Sequence, residues 1–71
     1  MKNAVKKFFE EYPVKSIQNY FGLDDMFEVE FENKKIVVWV DAFNDIYLVD
    51  TETDEIIDDE EVLYKELQCL H

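Results

Sequence analysis

Residues 26–32 alternate strictly: Phe27, Val29 and Phe31 are apolar, and Glu28, Glu30 and Glu32 are acidic. A period of two puts the sets on opposite faces of a half-buried strand. Residues 35–40 follow as a strand apolar on both faces, as a central strand should be. Asn33 and Lys34 between them suit a two-residue hairpin turn, because asparagine tolerates positive φ. That turn pairs Phe31 with Ile36, Val29 with Val38 and Phe27 with Val40, all on one face. The other face then carries Glu32 with Lys35, Glu30 with Val37 and Glu28 with Trp39, with Asp41 beyond. Residues 42–45 form a second turn before a third strand at 46–50. A four-residue loop puts Tyr47 and Val49 in the core, whereas a three-residue loop puts Ile46 and Leu48 there. Residues 55–57 suit a short fourth strand.

Helical spacing brackets these strands. Ala4, Val5, Phe8, Phe9 and Tyr12 make one apolar face behind Asn3 as a cap. Pro13 must stop or kink that helix near Tyr12. Proline also suits a first helical position, so a second short helix is expected as far as Phe21, burying Val14, Ile17, Tyr20 and Phe21. Gly22 then serves as its left-handed stop. Further on, Asp58 with Glu61 three residues later reads as an acidic capping box. Leu63, Leu67 and Leu70 form the stripe of the helix it opens, with Val62 and Cys69 on its shoulder. The order predicts one α+β domain over residues 1–71: a three- or four-stranded antiparallel sheet flanked by an N-terminal helix or helix pair and a C-terminal helix.

Charge changes the picture more than size does. The 71 residues include eighteen acids, seven lysines and no arginine, for a net charge of −11. Residues 1–35 hold six lysines and seven acids, whereas residues 36–71 hold one lysine and eleven acids. Ten acids fall within residues 41–61, with no lysine among them: Asp41, Asp45, Asp50, Glu52, Asp54, Glu55, Asp58, Asp59, Glu60 and Glu61. Such a field weakens the compact state by self-repulsion. Its retention points to use against a basic protein surface, with halophily or a solvated face that keeps the chain soluble as the other readings, and away from nucleic acid or an anionic membrane as direct partners. An aromatic content of 15% argues that the acids sit on a folded body and not a disordered tail.

Catalytic chemistry finds little support. A serine or cysteine nucleophile needs a neighbouring base, and Ser16, Cys69 and His71 are each the sole residue of their kind. Carboxylate catalysis needs an acid with its pKa raised by burial, and only Glu66 approaches an apolar face. No enzyme activity and no cofactor are expected. Counted from Asp50, positions 1, 3, 5, 9 and 12 of an EF-hand loop would be Asp50, Glu52, Asp54, Asp58 and Glu61. Glu55 stands where the loop needs glycine, and a strand pattern precedes it, so no specific metal site is expected. Trp39, between Glu28 and Glu30, has two readings. It is either a binding anchor with an acidic rim or a core residue covered by residues 54–57 or by the first helix. A single cysteine excludes an internal disulfide and fits a reducing compartment. With no signal-peptide pattern and no apolar run near ~18 residues, a cytoplasmic protein is expected.

The magnitudes suit charge mimicry. A compact chain of this length has a radius of gyration of ~11 Å and hence a diameter near ~28 Å. Duplex DNA presents one charge per ~1.7 Å, or roughly 16 phosphates over that length. In size, element order and placement of acids, the chain resembles the small acidic inhibitors that phages and mobile elements use against host defence. These include anti-CRISPR proteins, anti-restriction proteins and uracil-DNA glycosylase inhibitors. The resemblance implies a non-enzymatic DNA mimic that occupies the basic nucleic-acid-binding cleft of a host protein, most specifically a CRISPR nuclease. The residues expected to carry binding are Asp50, Glu52, Asp54, Glu55, Asp58 and Asp59, then Glu28, Glu30, Asp41 and Trp39. The competing expectations are an immunity protein or antitoxin against a basic toxin, and a small accessory domain that binds divalent metal.

Overall fold

The computed structural model describes residues 2–68. Helix α1 (Lys2–Phe8) leads into strands β1 (Val14–Asn19), β2 (Met26–Phe31), β3 (Lys35–Val40), β4 (Ile46–Asp50) and β5 (Glu55–Ile56), and helix α2 (Glu60–Gln68) closes the chain. The strands form one antiparallel sheet in chain order. The fold is α+β, with five strands where three or four were expected. Cys69, Leu70 and His71 lie outside the described residues, and with them the Cys69–His71 neighbourhood and the third leucine of the stripe.

The additional strand is the segment read as a second helix. Val14 and Ile17 are three apart, which is helical spacing. Here the spacing comes from a β-bulge: Val14 pairs with Phe31 and Ser16 with Glu30, leaving Lys15 as the extra residue. A bulge inserts one unpaired residue, so Val14 and Ile17 point the same way. Both pack against the core. Pro13 therefore stands just before an edge strand, where its missing N–H is tolerated.

The β2–β3 register differs from the expected one by two residues. Val29 faces Ile36, Phe27 faces Val38 and Met26 faces Trp39. Glu32 and Asn33 form the turn, closed by the Phe31 N–H donating to the Lys34 carbonyl at 2.7 Å. Asn33 does not adopt the positive φ anticipated for it. A shift of two keeps every side chain on its face, so alternation alone could not detect it. In this register Lys34 stands outside the turn, and its Nζ donates to Glu66 Oε2 at 2.6 Å and to the Glu66 carbonyl at 3.1 Å. It ties the hairpin to the C-terminal part of α2, where a cation suits the helix dipole.

The β3–β4 loop takes the three-residue form. The Asp41 N–H donates to the Asp45 carbonyl at 3.1 Å, and Asn44 adopts φ 64°. This places Ile46 and Leu48 in the core. At the start of α2 the cap is Asp59 and not Asp58: the Glu61 N–H donates to Asp59 Oδ1 at 3.0 Å. Asn3 lies inside α1, not ahead of it.

Both helices cover the same face of the sheet. Val5 and Phe9 from the N-terminal segment and Leu63 and Leu67 from α2 meet Phe27, Val29, Phe31, Ile36, Val38, Val40, Ile46 and Leu48 in one cluster. Burial of each such side chain contributes about 1.5–3 kcal/mol. The molecule measures 30 × 23 × 21 Å with a radius of gyration of 11.1 Å.

Candidate interaction surface

With both helices on one face, the other face of the sheet has no helical layer. Its side chains follow from the register: Ser16 and Gln18 on β1; Met26, Glu28 and Glu30 on β2; Lys35, Val37 and Trp39 on β3; Tyr47 and Val49 on β4; and Ile56 on β5. Val37 and Val49 are nevertheless only 4% and 3% exposed. Trp39 is half-buried, its ring tilted against Tyr47 at 5.8 Å, and its Nε1–H donates to Asp25 Oδ2 at 3.1 Å. Trp39 therefore sits between Met26 and Tyr47, not opposite Glu28. The α1 layer that could have covered it lies on the far side of the sheet.

The expected acids fall into two groups with different surroundings. On β2, Glu28 pairs with Lys35 at 3.4 Å, and Glu30 lies 3.9 Å from Lys15 and accepts the Ser16 hydroxyl at 3.2 Å. Glu32 leaves the strand for the turn, so the expected row of three carboxylates is a row of two, each with a lysine. Exposed pairs of this kind hold their partners weakly.

The acids of residues 41–61 are different. None of the three described ion pairs draws on them; the third is Lys34–Glu66. Several are used to shape the backbone. Asp41 Oδ1 accepts the N–H groups of Phe43 and Asp45, both at 2.9 Å. Asp50 Oδ1 accepts the Glu52 N–H at 2.9 Å, and Asp59 caps α2. An aspartate accepting a nearby N–H is a turn-forming device. A carboxylate used this way is held in place by the backbone.

The chain path arranges these acids as a rim along the β4–β5 side of the sheet. Asp41 and Asp45 stand at one end of β4, and Asp50, Glu52, Asp54 and Glu55 at the other. Residues 57–60 then run back along the edge, with the Ile57 N–H donating to the Leu48 carbonyl at 2.9 Å. The rim closes on Tyr47. Its hydroxyl is pushed above the ordinary value of 10.0, first by desolvation and then by the charges of Asp41, Asp45, Glu60 and Asp58. Acids from two separate segments thus act on one point. Sequence reasoning named Asp41 and Asp58 but missed Tyr47, Asp45 and Glu60 as site residues. Tyr47 could have been found only by choosing the three-residue loop.

Metal coordination needs tighter convergence than this. Among the described residues, no group of three or more histidine, cysteine, aspartate or glutamate side chains is placed to hold a metal ion. The segment entering the EF-hand-like run is strand β4, where the motif requires a helix. No described helix is long and apolar enough to cross a membrane. No family model matches the sequence, and no curated protein or solved structure is significantly similar to it.

Proposed function

We propose that the chain is a non-catalytic binding protein whose acidic β4–β5 rim occupies a basic, nucleic-acid-binding surface of another protein. In its most specific form it is an anti-CRISPR inhibitor that blocks DNA entry to a CRISPR effector. The observation that carries this reading is the contrast in pairing: lysines meet Glu28 and Glu30, whereas the described ion pairs leave the rim of residues 41–61 to an external cation. A 30 Å body matches a stretch of duplex with roughly 18 phosphates at one charge per ~1.7 Å. Arginine and lysine pair with carboxylate much as with phosphate. Opposed fields raise the association rate and make it salt-sensitive.

The test is capture from candidate host lysates, with the wild-type chain and a Glu52→Lys/Glu55→Lys/Asp58→Lys variant as paired baits. Asp54 is spared because its φ of 59° suits aspartate and would strain lysine. The wild type should retain a nucleic-acid-binding protein that the variant does not. Equal capture by both baits, or a partner with no affinity for nucleic acid, would overturn the proposal.

A further inference from the structure

Phe21 is held against its own conformational preference with little gained in packing. It adopts φ 50° and ψ 31°, Gly22 follows at φ 73°, and the Leu23 N–H donates to the Tyr20 carbonyl at 3.0 Å. This is the two-residue positive-φ turn that Asn-Gly usually makes. A bulky residue there is under strain. Burial does not offset it, since Phe21 remains 85% exposed. The turn is nonetheless braced: Asn19 Nδ2 donates to the Leu23 carbonyl at 2.8 Å, and the Tyr20 ring meets the Phe21 ring edge-on at 4.5 Å.

This turn borders a hollow of about 260 Å³ lined by Tyr20, Phe21, Leu23, Met26 and Asp54. Asp54 arrives from the β4–β5 turn, and its carboxylate makes no hydrogen bond or ion pair with another described residue. The hollow is smaller than the ~300–1,000 Å³ of small-molecule sites. It has the scale of one long side chain, with apolar walls, two aromatic rings and a carboxylate at the rim, on a protein of net charge −11. Those features complement a guanidinium, whose flat face stacks on rings and whose fork bonds a carboxylate bidentately. An ammonium meets the carboxylate only as a point charge.

We propose that the hollow between the Phe21–Gly22 turn and Asp54 receives an arginine side chain of the basic protein partner, supplying the selectivity that the diffuse charge of the rim lacks. The proposal rests on the reading of the rim as a surface for a basic protein. Titration of the wild type, Phe21→Asn, Asp54→Asn and the rim triple variant with nona-arginine and nona-lysine peptides separates the two. The readout is fluorescence of Trp39, which lies opposite Met26. Asparagine accepts the positive φ at both single-variant positions, so each should keep the fold. At ~0.3 M sodium chloride, where exposed charges are screened, the wild type should bind nona-arginine about tenfold more tightly than nona-lysine. Phe21→Asn and Asp54→Asn should each remove that preference, whereas the rim triple variant should weaken both peptides alike. Equal binding of the two peptides, weakened only in the triple variant, would overturn the arginine site and leave the rim standing. No binding of either peptide even at low salt would remove both. A wild-type dimer lost in Phe21→Asn would assign the hollow to a second copy of the chain and overturn the proposal.

Discussion

The two faces of the sheet are built from the same strands and balanced in different ways. On the inner face, Phe27, Val29, Val38 and Val40 meet Val5, Phe9, Leu63 and Leu67, and each apolar group has an apolar partner from another element. On the outer face, Val37 and Val49 are buried without a helix over them, among Trp39, Tyr47, Glu28 and Lys35. The outer face also divides by charge. Its β1–β3 side carries acids matched by Lys15 and Lys35, whereas its β4–β5 side carries Tyr47, Val49 and Ile56, and the acids there lie in the turns and along the sheet edge, where no described ion pair matches them. The inner face accounts for the fold. The β4–β5 rim adds repulsion without adding to the core, and the basic partner proposed above would relieve that repulsion.

The contrast breaks first on the inner face. Phe27→Ala should cost about 3–5 kcal/mol, which approaches the whole stability of a small domain. Chemical denaturation should then show no cooperative transition at room temperature. The rim should behave oppositely: Glu52→Lys/Glu55→Lys/Asp58→Lys should abolish partner binding while leaving stability unchanged or raised by up to ~1 kcal/mol. A lower melting temperature in that variant would mean that the rim holds the fold together. Lys34→Met should remove the tie to Glu66 and cost about 0.5–1 kcal/mol, or some 3–6 °C in Tm, as measured by calorimetry.

The smallest effect concerns pH. The Tyr47 pKa is raised in the folded chain, chiefly by desolvation and then by Asp41, Asp45, Glu60 and Asp58. Its contribution to stability is therefore fully present below 10.0 and is lost as the pH rises through the folded value. Ultraviolet titration should find the Tyr47 hydroxyl above 10.0, and Asp58→Asn with Glu60→Gln should move it back toward that value.

The legible part of the fold is the part where one pattern had one physical cause. Phe27, Val29 and Phe31 alternate because one face of β2 is buried, and that reading survives. Val14 and Ile17 misled because a bulge reproduces helical spacing, which periodicity cannot separate from a helix turn. The β2–β3 register was hidden because a shift of two preserves every face, and the Lys34–Glu66 tie that accompanies it spans distant parts of the chain. The acids of the rim were legible as composition. Their arrangement around Tyr47 was not, since it depends on the β3–β4 loop length and the return of residues 57–60. Phe21 carried no signal at all, because nothing in the order Tyr-Phe-Gly-Leu marks a phenylalanine at positive φ.

The central claim is that the rim takes the place of nucleic acid on a basic surface. The direct measurement is competition: the captured partner is titrated with its own nucleic acid at increasing concentrations of the chain, at ~0.1 and ~0.5 M salt. The account predicts mutually exclusive binding and an affinity that falls steeply between the two conditions. A ternary complex of partner, nucleic acid and chain, or an affinity unchanged by salt, would contradict it.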